Sequence, residues 1–279
     1  MSELILVVDG TPHLGWTSLT VGRSIERGPH EFEVGMSSRW GEKAQTNPRS
    51  IVAGMPVQVY VDDDLIINGY IDDVDPEYDA TQHSLTVRGR SRLGDLVDCS
   101  TEGEQFPRMS LLGIASQLCA PFGIKVSADG NAASAAREVF NKPKTLDLGE
   151  SIWDFLEELA RIRAVLLTST AEGNLLITRA GQGKADIGLE LGKNIKSASG
   201  NFSHRELFSD YIVTAQQPGA DTLTGVDTSQ PKGTAKGTGR FRPLVISADS
   251  SGDIADCRTR AEWQRNVHFG RSRGSVYTV

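Results

Sequence analysis

Cysteine is scarce in this chain of 279 residues: Cys99, Cys119 and Cys257 are odd in number and far apart. Neither a disulfide framework nor a C-x-x-C zinc or redox signature can be written from them, and buried free thiols in a reducing compartment are the expectation. Long apolar runs are missing too. The stretch Leu4 to Val8 is short and flanked by acids rather than by a basic region, so no signal peptide is expected. Nothing approaches the roughly 18 apolar residues of a membrane-spanning helix, which excludes direct membrane insertion. A net charge of -7 excludes a surface that is basic all round, the form a general nucleic-acid trap would take. No phosphate-cradling G-x-x-x-x-G-K-[ST] or G-x-G-x-x-G follows a strand. His13, His30, His83, His204 and His268 never fall four apart, so no helical metal pair is available. No cofactor or metal is implied.

What the chain does contain is 29 Gly and 11 Pro beside 38% hydrophobic residues, the composition of a turn-rich globular protein with room for about two domains. Residues 1–98 read as short strands at Leu4 to Val8, Ser18 to Ile25, Glu31 to Met36, Val57 to Val61, Leu65 to Ile71 and Ser84 to Arg88. Turn formers separate them at Asp9-Gly10, Gly28-Pro29, Asn47-Pro48 and Asp62-Asp63-Asp64, which predicts an antiparallel barrel or sandwich.

Near residue 99 the period changes from two to about 3.6. Ser110 caps a predicted helix carrying Leu111, Leu112, Ile114, Ala115, Leu118 and Cys119, stopped by Pro121 and Gly123. Ser151 caps a second with the stripe Ile152, Phe155, Leu156, Leu159, Ala160, and a hairpin follows from Val165 to Arg179 around Ala171-Glu172-Gly173-Asn174. Residues 99–185 thus read as an α+β domain. The third region, 186–279, is β-rich, with its clearest strand at Asp210 to Gln217, a helix over 251–269 and a strand over 274–279. Residues 218–240 lack large apolar side chains apart from Leu223 and Val226 and are expected to be a mobile loop. The chain stops inside a predicted strand, so a shortened second barrel is the expectation.

Several patterns invite a chemical reading and fail it. Gly270 to Gly274 matches the G-x-S-x-G nucleophile elbow, but helix precedes strand and no acid or His partner follows Ser272. Glu157 and Glu158, a conceivable cell-wall hydrolase pair, are adjacent on a helix and point about 100° apart, which predicts a solvated face. Asp73, Asp75, Glu77 and Asp79 alternate like a calcium loop, yet Tyr78 replaces the turn glycine. No Lys or Arg occurs from Ser50 to Val87, where eight acids do; acidic turns on an edge or pore-facing rim are expected. Lys232 to Arg273 holds nine Lys and Arg against four Asp and Glu, leaving -12 on the rest of the chain. Phe241, Trp263 and Phe269 are too scattered for base stacking, so specific nucleic-acid binding is not expected and pairing between subunits is.

Four stretches taken together carry a family resemblance: Leu65 to Ser100, Ser110 to Val126, Gly149 to Ala180 and Asn201 to Gln217. In this order they are similar to segments of the Mu-type phage tail protein that forms the central hub of the contractile-tail baseplate. Gly69, Tyr70, Ile71, Asp72, Gly89, Arg90, Ser91, Asp95, Leu96, Val97 and Asp98 carry the match, with Gly69 a possible bulge and Gly89 a close strand approach. The resemblance implies that these residues are structural, in the barrel and at its exit to the next domain. It implies a fold that is mainly β, α+β overall, with two tail-tube-like antiparallel barrels flanking a smaller α+β domain. It further implies a non-enzymatic homotrimer that adapts the sixfold tail tube to the threefold spike, with the spike, tube and other baseplate proteins as partners and the virion tail as location. A tail-associated cell-wall hydrolase and a DNA-channel module are the rival classes.

Overall fold

The computed structural model describes residues 4–38, 51–78, 83–181, 188–216 and 231–279. Among the described residues strand exceeds helix, 43% against 22%, so the fold is mainly β. The first seven strands are β1 (Leu4–Val8), β2 (Thr11–His13), β3 (Ser18–Gly22), β4 (Glu31–Ser38), β5 (Pro56–Val61), β6 (Asp64–Tyr78) and β7 (His83–Ser91). They form one sheet in the order β2-β1-β5-β6-β7-β4-β3, antiparallel throughout.

Its two edges are consecutive in the chain. β2 ends at His13 and β3 begins at Ser18, and an extended linker of that length reaches at most roughly 18 Å. Laid flat, seven strands span roughly 29 Å from edge to edge. The sheet is therefore rolled, with the edges near one another but not hydrogen-bonded. Leu6, Val8, Phe32, Val34, Val57, Val59, Ile67, Ile71, Leu85 and Val87 face inward and form its core. Among the described residues no sheet closes into a barrel, which corrects the expected closure.

β6 runs much further than the predicted Leu65 to Ile71. Asp72, Asp73, Asp75 and Glu77 lie on this strand rather than in turns, in the part of β6 that runs beyond the β5 ladder and lies along β7. Acids are tolerated there because the opposing strand supplies cations: Arg88 binds Glu33 at 2.6 Å and also Asp75. Only Asp62 to Asp64 form the expected turn, with Asp62 at φ 54°. The predicted turn at Asn47-Pro48, and Asp79, lie outside the described residues.

The next part contains α1 (Gly94–Asp98), β8 (Glu104–Phe106), α2 (Leu111–Cys119), β9 (Val126–Ala128), α3 (Ala133–Arg137), β10 (Lys144–Leu146), α4 (Ile152–Ile162), β11 (Leu166–Ser169) and β12 (Leu175–Thr178). Both predicted caps form: Ser110 Oγ accepts from Gly113 N at 3.2 Å and Ser151 Oγ from Asp154 N at 3.0 Å. A short 3-10 turn over Ala120–Phe122 ends α2, and Gly123 leaves it at φ 64°. β9 adds to the β11–β12 hairpin in parallel, and Leu111, Ile114, Leu118, Phe155, Leu156 and Leu159 pack between helices and strands.

The last part holds β13 (Ser197–Phe202), β14 (Asp210–Gln216), β15 (Lys232–Lys236), β16 (Pro243–Ser251), α5 (Ile254–Arg271) and β17 (Arg273–Thr278). β13 pairs with β17, and β15-β14-β16 form a second sheet. That sheet is mixed, because β16 runs parallel to β14, where an antiparallel arrangement was expected. Residues 232–236, predicted to be loop, are strand β15; the earlier part of that predicted loop, 218–230, lies outside the described residues. Small residues are the reason. A Cβ on Gly233 would come within 2.1 Å of Arg258 N, so α5 lies directly on the strand backbone over Gly233 and Ala235. The absence of large apolar side chains thus reflects close helix-on-strand packing rather than lack of structure.

Candidate functional site

The residues singled out by the sequence converge where β7 passes into α1. Gly69 pairs with Ser91, Tyr70 with Arg90 and Ile71 with Gly89. The register then shifts, Asp73 facing Arg88, which leaves Asp72 as an extra residue in the ladder. The bulge is at Asp72, not at Gly69. Both glycines are close approaches: a Cβ on Gly69 would lie 1.9 Å from Arg90 O, and one on Gly89 would lie 2.2 Å from Tyr70 O.

The bulged carboxylate points to Arg90. Its Nε donates to Asp72 Oδ2 at 2.7 Å, and its Nη2 to Asp72 Oδ1 at 3.2 Å. The same guanidinium donates to both oxygens of Asp98 in α1, at 3.2 and 2.6 Å. One planar donor fork thereby joins strand, bulge and helix. Hydrogen bonding from Arg90 holds the Asp98 carboxyl below its ordinary range, whereas burial, helped by Asp98, pushes Asp95 above it. Leu96, fully buried, turns α1 toward the helical core, and Ser91 accepts from His30 N at 3.1 Å and donates its own N–H to His30 O at 2.8 Å.

Three further contacts fasten the rolled sheet to the helical part. Asn68 Nδ2 donates to Glu172 O at 2.9 Å, Arg92 Nη2 donates to Phe122 O at 2.7 Å, and the Trp153 indole occupies the space a side chain on Gly28 would need. Gly28 and Gly173 were legible only as turn formers. Their packing against Trp153 and Asn68 required the fold.

A second junction ties the helical part to α5. Lys144 and Arg163 flank the Phe140 ring at 5.0 and 4.2 Å from its centroid. Arg163 pairs with Glu138 at 3.3 Å and with Asp256 of α5 at 3.5 Å, and Asn141 Nδ2 donates to Asp253 Oδ2 at 3.0 Å. Burial lowers the Lys144 ammonium and raises the Asp256 carboxyl from their ordinary values. Asp253, which accepts the Asp256 backbone N–H at 2.8 Å in the α5 capping box, is lowered instead. No local pattern signals this cluster, because residues 138–163 meet an α5 cap that lies about ninety or more residues further along the chain.

A third feature is an open pocket of about 570 Å³ lined by His204, Arg205, Arg240 and Arg242, formed by the turns that precede β14 and β16. Arg242 is fixed, donating to His204 O and Arg205 O at 2.8 and 2.9 Å and lying 5.1 Å from the Phe208 ring centroid. The exposed side chains of Arg205 and Arg240 make no hydrogen bond or ion pair among the described residues.

The catalytic patterns do not assemble. Glu157 pairs with Arg161 at 2.7 Å, while Glu158 turns inward with a buried Oε1 near Lys144, so the two do not form a single solvated face. Ser272 closes α5 and donates to Phe269 O at 2.7 Å. Among the described residues no group of three His, Cys, Asp or Glu could hold a metal ion. Cys119 and Cys257 are buried thiols, Cys119 pushed up to about 12 by burial, and Cys99 is half-buried.

Comparison with known proteins points to one family. Residues 3–91 match the Mu phage baseplate assembly protein GpP-like N-terminal family, and residues 93–179 match the second domain of the baseplate hub protein gp44-like family. The baseplate hub protein gp44 of Escherichia phage Mu is 34% identical over 281 residues, covering 97% of this chain and 72% of that protein. The crystal structure of the 43 kDa tail protein of prophage MuSo2 from Shewanella oneidensis superposes with a TM-score of 0.83 at 35% identity, covering 99% of this chain and 82% of that one. A tail protein from Neisseria meningitidis MC58 shares the fold, with a TM-score of 0.79 at 19% identity over 100% of this chain and 80% of its own. By name the first of these relatives is a baseplate hub protein and the other two are tail proteins.

Proposed function

Because this chain belongs to the Mu-type phage baseplate hub family, we propose that it forms a homotrimeric ring joining a sixfold tail tube to a threefold spike. The observation that carries this reading is the match to the Mu hub protein along nearly the whole chain. Spike, tube and neighbouring baseplate proteins are its partners, the virion tail its final place and the host cytoplasm its site of assembly.

The geometry supports an adaptor built from three units, 1–98, 99–185 and 186–279. An adaptor has to hold subunit surfaces at fixed angles while force passes through it. Arg90 bridging Asp72 and Asp98, and Arg163 bridging Glu138 and Asp256, are fastenings of that kind. The family-motif residues around Gly69 and Gly89 serve the first joint, since both glycines admit a neighbouring backbone where no side chain fits.

Light scattering coupled to size exclusion tests the assembly directly. A mass of three chains, alone or with the spike protein added, is the expected result. A chain that stays monomeric at micromolar concentration with its spike present overturns it.

A further inference from the structure

The third part of the chain carries a basic concavity in which the Arg205 and Arg240 side chains make no ion pair among the described residues, and the first part carries an acidic hairpin tip on which the Asp63 and Asp64 side chains make none. Arg205 and Arg240 stand exposed at the mouth of the 570 Å³ pocket, with Arg242 fixed beside them. Phe241, between the two pocket arginines, is 83% exposed, and arginine beside an unsupported aromatic ring is the composition of an interface centre. At the β5–β6 turn, Asp62, Asp63 and Asp64 follow one another on a hairpin tip, all exposed. Asp63 and Asp64 make no hydrogen bond or ion pair among the described residues, unlike Asp72 and Asp75, which Arg90 and Arg88 already engage.

We infer that the acidic β5–β6 tip of one copy docks into the Arg205–Arg240–Arg242 pocket of the next copy around the ring. The inference rests on the trimeric reading above and assigns it a contact. Three features favour a second copy over a nucleic acid. The basic groups close around a concavity instead of running along a stripe. They lack a row of exposed aromatics for stacking, Phe241 standing out to solvent while Phe208 packs against the core. The β5–β6 tip of the same chain offers the carboxylates of Asp63 and Asp64 against the guanidinium groups of Arg205 and Arg240. A tip-to-pocket contact is heterologous, using two different surfaces of each copy, and such contacts repeat around a closed ring when the rotation permits. It sets register and speeds association, while the bulk of the binding energy comes from apolar burial elsewhere.

The test is a charge swap on the full chain, read by sedimentation equilibrium. Variants Arg205→Glu/Arg240→Glu and Asp63→Lys/Asp64→Lys are each expected to weaken trimer formation at least about tenfold, and the fourfold variant combining them to recover it. Circular dichroism confirms folding. Should a reversed pair misfold, Arg205→Gln/Arg240→Gln and Asp63→Asn/Asp64→Asn give the same comparison with loss in place of reversal. Trimers insensitive to every variant, or a fourfold variant no better than its parents, overturn the contact and leave the trimer standing. Loss confined to the pocket variant also overturns it, and assigns the pocket to a different acidic partner. A wild-type chain that is monomeric throughout overturns the trimeric reading and this contact together.

Discussion

Arg90 and Asp98 are eight residues apart, one on the last strand of the rolled sheet and one at the end of the following helix, and they meet at 2.6 Å. Asp72 reaches the same guanidinium from a bulge on the neighbouring strand. Together the two carboxylates engage the whole planar donor fork, Nε and Nη2 on Asp72 and Nη1 and Nη2 on Asp98.

Replacing Arg90 with Ala leaves Asp72 and Asp98 facing each other and is expected to lower stability by about 1–2 kcal/mol, since solvent reaches Asp98 and screens the pair. Arg90→Lys recovers less than half, because an ammonium cannot span both carboxylates. The effect depends on pH. Asp98 is lowered in the folded state, so its contribution is complete above the unfolded value of about 4 and fades as pH falls through the folded one. Urea unfolding at pH 7 and pH 3 measures this: the gap between wild type and Arg90→Ala narrows at the lower pH.

Gly69→Ala and Gly89→Ala both force a methyl group into a neighbouring carbonyl. Each is expected to cost more than about 3 kcal/mol and to appear as insoluble or thermally fragile protein. Gly130→Ala is the matched control, since a Cβ there meets nothing within 4 Å and the melting temperature should barely move.

Gly233→Ala pushes against the backbone of α5 at Cys257 and Arg258. The expected result is a loss of about 2–3 kcal/mol with α5 lifted from its sheet. Cys257, at 2% exposure, reports that movement: its thiol should react with a disulfide reagent many times faster in the variant. Unchanged reactivity would show that the strand, rather than the helix, gives way.

Asp253 and Asp256 share one helix cap and should respond to pH in opposite senses. The Asp256 backbone N–H lowers Asp253, so Asp253 contributes stability above its unfolded value and loses it on acidification. Burial raises Asp256, so ionising it subtracts stability as pH climbs through its folded value. As pH rises, denaturation from about pH 4 to pH 7 should therefore move Asp256→Asn upward relative to wild type, and denaturation from about pH 2 to pH 5 should move Asp253→Asn downward.

Local signals in the chain were enough to place α2, α4, β1, β14 and the β11–β12 hairpin, because capping serines, periodic apolar residues and a four-residue turn act over short range. The second half of β6 was not legible. Its alternation is interrupted at Asp72 and its acids look like a turn until Arg88 and Arg90 are placed across from them. β15 was hidden for a similar reason: glycine and alanine resemble a linker unless the helix that needs their smallness is known. The match residues Arg90, Asp72 and Asp98 were named from resemblance alone, and their shared guanidinium contact followed only from the register. The Lys144–Arg163–Asp256 junction left no trace in the sequence, since each member is an ordinary charge until burial joins them.

The extra residue in β6 separates two properties that most positions in a sheet confound. Ile71 and Asp73 occupy successive rungs of the ladder with β7, so the strand could close over a deletion of Asp72 without turning any other side chain to the opposite face. What would vanish is the fastening to Arg90 and, through it, to α1. Loss of this one residue is expected to weaken the fastening between the rolled sheet and α1 while leaving the inward-facing side chains of β6 on their own face.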